Sequence, residues 1–150
     1  MYEVLKYVHI LAAIVWVGGA FYMQLVAIRA SRSDDPADLP RFGAEVEAVG
    51  AKVFPLASII LLIAGIIMVL QRWSFNQVWV AVALVLWVAS LLAGVLYIGP
   101  RAARVGKQFA TEGHDSVAAR AGMARLFLVS RLELVSFAVI VYLMVFKPGA

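Results

Sequence analysis

No cysteine occurs in this chain, so disulfides, iron–sulfur clusters and thiolate metal sites are excluded at once. Charge is scarce too. Asp, Glu, Lys and Arg make up 15% of the residues, where a soluble domain carries about a quarter. Hydrophobic residues supply 64% and mean hydropathy is +0.93. Those values describe a single integral membrane domain and leave no room for a large water-soluble catalytic module. Gly-rich phosphate loops, paired catalytic carboxylates and nucleophile–base arrangements are all missing. Only two histidines are present, His9 and His114. A net charge of +4 would suit nucleic acid, but the basic residues sit in loops between apolar runs. That distribution is a topology signal and argues against nucleic-acid binding.

What is present is four apolar runs, at about 5–28, 53–70, 78–98 and 126–146. Each approaches the roughly 20 helical residues that cross a hydrocarbon core of about 30 Å. The first is too long for the apolar region of a signal peptide, and its arginines follow it, so it reads as a retained helix. The connections alternate long, short, long. The long ones hold Arg29, Arg32, Arg41, Lys52, Arg101, Arg104, Lys107, Arg120 and Arg125, against Lys6, Arg72 and Lys147 on the other side. That bias predicts an all-α membrane protein: a four-transmembrane-helix bundle with both termini outside and long cytoplasmic loops 1–2 and 3–4. The long loops carry helix signals of their own. Pro36 and Pro40 punctuate the first, after which Arg41 to Lys52 reads as a polar-faced helix entering the second span, with Pro55 placed to kink the join. In the second, Gly99-Pro100 predicts a break before Arg101 to Ala110. Gly113 ends that piece, and Asp115 or Ser116 is positioned to cap the last helix.

Ionisable residues in membrane sequence are functional candidates by default. His9 lies about one turn inside the first span. It shares a face with Ala12, Ala13, Trp16, Gly19 and Met23, spaced three, four and seven apart. Small residues there admit a neighbouring helix or a flat cofactor. Met68 and Met144 lie at similar depth to His9, so His–Met ligation of haem or a Cu(I) site is open, as is plain packing. In the fourth span Arg131 is placed to snorkel. The shorter Glu133 is expected to face the bundle interior and find Tyr22, Gln24 or Tyr97 as donors, in a proton-handling role or as a structural hydrogen bond. His114, in a Glu-Gly-His-Asp turn, reads as a solvated loop residue.

Met1-Tyr2, Lys6, His9, Trp16, the Gly19-Ala20-Phe21-Tyr22 turn and the closing Lys147-Pro148 resemble the HemJ-type protoporphyrinogen oxidases. The chain is also similar to related bacterial four-helix integral membrane proteins and, more loosely, to the membrane domain of copper-resistance D proteins. The resemblance implies a multi-pass protein of the bacterial cytoplasmic membrane that holds haem b. His9, matching the family's first-helix histidine, would be the ligand of the haem iron; Trp16 and Gly19 would pack along the porphyrin or a neighbouring helix, and the depth match, not the resemblance, offers Met68 and Met144 as second ligands. Two departures stand out: 78–98 contains no lysine, and the family's Asn-Glu-x-Pro stretch reads Leu132-Glu133-Leu134-Val135. Two alternatives remain beside a redox or haem-handling role. One is a cofactor-free accessory subunit, in a homo-oligomer or a larger membrane complex; the other is copper handling.

Overall fold

The computed structural model describes residues 1–35, 37–113 and 115–150, with no account of the side chains of Glu47, Val49 and Ala51. Pro36 and His114, both named above, lie outside the described residues. Four long helices account for almost all of the rest, and each contains one of the apolar runs. Helix α1 is Tyr2–Ser31, α2 covers 38–72, α3 is Val78–Glu112 and α4 is Val117–Phe146. The chain is an integral membrane protein with four membrane-crossing helices.

These helices outlast the bilayer. At 1.5 Å per residue, 30 to 35 residues span about 45–52 Å, against a hydrocarbon core of about 30 Å. The surplus lies at the end rich in Lys and Arg. There the two long connections are mainly helix, as Arg41 to Lys52 suggested. They form a small core of their own from Leu39, Phe42, Val46, Ala102, Val105, Phe109, Ala119 and Met123. Helices α2 and α3 cross at Gly43 and Gly106 so closely that a Cβ on Gly43 would lie 2.9 Å from the Gly106 Cα. Outside the hydrocarbon this core is held by the hydrophobic effect; inside it, small residues such as Ala12, Ala57, Ala64 and Ala83 let the helices approach.

The break expected at Gly99-Pro100 is not there. Helix α3 runs through it, because residues Ala93–Ile98 widen into a π-helical turn whose last bond joins the Gly99 N–H to the Gly94 carbonyl. A proline lacks an N–H and crowds the carbonyl one turn back. A wider turn just ahead of it relieves both demands without ending the helix. Two more π-helical turns occur, at Ile14–Gly18 in α1 and Val46–Gly50 in α2, the latter five residues before Pro55. The other stop signals hold. Gly113 closes α3 at φ 83°, and the Ser116 hydroxyl accepts from the Ala119 N–H at 3.1 Å, capping α4.

The opposite end is an aromatic belt. Trp73 Nε1 donates to the Tyr2 hydroxyl at 3.4 Å, and Trp73 meets Trp79 edge-on with centroids 5.5 Å apart. Arg72 and Lys147 lie over the Tyr2 and Trp73 rings at 4.5 and 4.9 Å. Such amphipathic rings mark a membrane–water interface, and they fix the register of α1 against α2.

Candidate functional site

That register decides where His9 goes. Its imidazole turns to α2, where Nδ1 donates to the Leu61 carbonyl at 2.8 Å. A carbonyl only accepts, so Nδ1 carries a proton, and in the neutral ring Nε2 then keeps its lone pair. Gly65 makes room for the ring: a Cβ there would fall 3.1 Å from His9 Cε1. The shared face read from the sequence is real, with Ala12 and Trp16 buried, and along it α1 meets α2. Beside Gly19 the neighbour is the Phe54 ring, 2.5 Å from where a Cβ would stand. Met144 packs between the Trp16–Phe137 and Trp79–Leu143 clusters. Met68 follows Gly65 by three residues, almost a turn nearer the aromatic belt than the level of His9. Thus Trp16, Gly19 and His9 share one seam, and Met144 packs against the cluster that contains Trp16 and Leu61. Among the described residues no three His, Asp or Glu side chains gather as a metal site.

The space inside the protein lies elsewhere. A cavity of about 370 Å³ opens in the basic half of the bundle, walled by all four helices. Trp16, Ala20 and Met23 come from α1, Phe42 and Phe54 from α2, Leu91 and Ile98 from α3, and Phe127 and Phe137 from α4. The volume is more than twice the roughly 150 Å³ of an apolar cavity that holds benzene. Each π-helical turn contributes to the wall: Trp16 from the first, Val46 and Gly50 from the second, Gly94, Val95 and Ile98 from the third. A π turn shifts every later side chain around the helix and is a frequent mark of functional sites. Val95 lines the cavity and is 45% exposed.

Four polar side chains reach this apolar wall: Gln24, Ser90, Ser130 and Glu133. Ser130 satisfies itself by donating to the Leu126 carbonyl. Gln24 is only 7% exposed, and its amide nitrogen has no hydrogen-bond partner among the described residues. Glu133 faces inward as expected, its Oε1 3.7 Å from where a Gly94 Cβ would stand. The donors foreseen for it do not serve. Tyr22 is 65% exposed on the outer surface, Tyr97 lies under Arg101 at 4.3 Å, and Gln24 is unpaired across the cavity. Arg131 points outward. The constellation is therefore a carboxylate and an amide facing an apolar chamber. Gln24 was the legible signal for it, as the one amide inside the first apolar run. Ser90 and Ser130 carried no distinguishing pattern.

The model of a family described as predicted integral membrane proteins (DUF2269) matches residues 3–148. No curated protein and no solved structure gives a match.

Proposed function

Since the chain belongs to the DUF2269 family of predicted integral membrane proteins, we propose that it is a membrane-embedded binding protein. Its ligand would be a small molecule with an apolar body and a cationic or hydrogen-bond-donating head. One observation carries this: the cavity wall holds Glu133, which makes no hydrogen bond or ion pair among the described residues, and Gln24, whose buried amide nitrogen has no partner there. Polar groups kept away from water are costly unless something meets them, and a concave apolar site with a few converging polar groups suits a small ligand. In this reading Glu133 accepts from the head group, Gln24 orients it, and Trp16, Phe54 and Phe137 enclose the body. Val95, a lining residue within the third apolar run, is 45% exposed, and in this reading the ligand enters past it from the bilayer. The test uses a matched pair of probes, naphthylmethylamine and methylnaphthalene, titrated against the tryptophan emission of detergent-solubilised protein. Both quench if the reading holds. Glu133→Gln then weakens the amine by about tenfold or more, as loss of a charged hydrogen bond worth about 1.5–3 kcal/mol requires, and leaves the hydrocarbon unchanged. Equal loss of both probes, or of neither, contradicts the assigned role of Glu133.

A second reading, haem b ligated by His9, is favoured by the imidazole geometry. Nδ1 donating to a backbone carbonyl and Nε2 left with its lone pair is how metal-bound histidines are commonly held. Haem would supply redox chemistry there. It would not share the cavity, whose lining contains no histidine, and Phe54 fills the space beside Gly19. A Soret band on haem addition that is lost in His9→Ala supports it; an unchanged band in that variant refutes it.

A further inference from the structure

A second cleft, separate from the cavity, lies at the basic end of α1. It measures about 490 Å³ and is lined by Leu25, Ile28, Arg29, Arg32, Ser33 and Asp38. Its depth follows from the helix. From Leu5, just inside the aromatic belt, twenty residues at 1.5 Å make about 30 Å and reach Leu25, the far edge of the hydrocarbon. Ile28 and Arg29 then stand about 5–6 Å beyond that edge and Arg32 about 10 Å beyond it. That is the layer occupied by phospholipid head groups, since polar regions on both sides bring a bilayer to about 40–45 Å.

The chemistry of the cleft is graded in the same direction. Leu25, 50% exposed, and Ile28 give it an apolar wall at the hydrocarbon edge. Arg29 and Arg32 are one turn apart on one helix face, and neither has a carboxylate partner among the described residues. The Ser33 hydroxyl accepts from the Asp35 N–H at 3.2 Å and keeps its own proton to donate. Asp38, on the far side at the start of α2, meets the Arg41 guanidinium only loosely, at 3.5 Å. Two guanidinium groups and a hydroxyl suit a phosphate. A carboxylate across the same cleft repels a purely anionic head and attracts an ammonium.

We propose that this cleft binds one phospholipid whose head group carries both a phosphate and a primary amine. Arg29, Arg32 and Ser33 hold the phosphate, Asp38 takes the ammonium, and an acyl chain runs along Ile28 and Leu25. The groups sit at head-group depth whichever way the protein faces, so the assignment does not depend on orientation. Retention of lipid is read by native mass spectrometry on the whole protein, delipidated and then offered palmitoyl-oleoyl phosphatidylethanolamine and phosphatidylglycerol in equal amounts. One phosphatidylethanolamine is expected to remain bound in preference to phosphatidylglycerol. Asp38→Asn abolishes the preference while keeping lipid. The double variant Arg29→Gln, Arg32→Gln lowers retention of both lipids by about a hundredfold, the scale of two lost charged contacts. The Arg29→Lys, Arg32→Lys pair, with the charge kept, restores part of it. Three results would overturn the proposal. They are no lipid retained by the wild-type protein, a lipid preference indifferent to Asp38→Asn, and displacement by millimolar phosphoethanolamine, which would mark a site for a soluble phosphate.

Discussion

The crossing of α2 and α3 at Gly43 and Gly106 gives the sharpest test of how the basic end is built. A Cβ at position 43 would stand 2.9 Å from the Gly106 Cα and 3.2 Å from the Ala102 carbonyl oxygen, whereas ordinary contact begins at 3.4 Å. Both obstacles are backbone, so no rotamer change relieves them and the helices must part by at least 3.4 − 2.9 = 0.5 Å. A gap of about 0.5–1 Å already forfeits a quarter to a half of a dispersion contact, and here it opens between Leu39 and Phe42 on one side and Val105 and Phe109 on the other. Overpacking of this kind costs about 1–3 kcal/mol. Alanine, however, favours a helix over glycine by about 1 kcal/mol, which would obscure the cost in a single variant. Gly18 supplies the control, since a Cβ there meets nothing within 4 Å. Both substitutions replace a helical glycine, Gly18 at the end of a π-helical turn and Gly43 within α-helix, and only Gly43 meets backbone, so their difference reports chiefly the close approach. Thermal unfolding in detergent should place Gly43→Ala below Gly18→Ala by several degrees, at about 2–4 °C per kcal/mol for a chain of this size. Equal melting temperatures, or the reverse order, would refute the tight crossing.

Three further outcomes are expected. Phe137→Ala, which removes a ring 1% exposed and 4.6 Å from the Trp16 ring, should cost about 3–5 kcal/mol in the same melt. Ser116→Ala removes the cap of α4 and should cost about 1 kcal/mol, with faster amide exchange confined to the first turn of that helix. Gly65→Ala would press a methyl to 3.1 Å from His9 Cε1. It should loosen the bond to Leu61, seen as loss of a protected Nδ1–H resonance, and an unchanged resonance would place the imidazole elsewhere.

Much of this architecture was legible in the residues. The four apolar runs identified the helices, and Gly113 and Ser116 marked their ends, because end signals depend on local backbone chemistry. The continuity of α3 through Gly99-Pro100 was not legible. Its cause is a π-helical turn in an apolar run, which changes hydrogen bonding without leaving a side-chain pattern. Spacing put His9, Ala12, Trp16 and Gly19 on one face, but periodicity does not say what a face meets. Here it meets Leu61, Gly65 and Phe54 of α2. Glu133 could be read as inward-facing from its length and depth. The emptiness around it depends on wall residues supplied by π turns on three different helices, a tertiary arrangement that no single segment encodes.

The most direct test of the chamber as a binding site is to fill it. A Cβ at Gly94 makes only ordinary contact, 3.7 Å from Glu133 Oε1, so a side chain placed there extends into the cavity without disturbing the backbone. Naphthylmethylamine and methylnaphthalene should both bind more weakly, by tryptophan quenching, in Gly94→Leu protein that melts like the wild type. Unaltered binding of either probe in that variant would contradict the account.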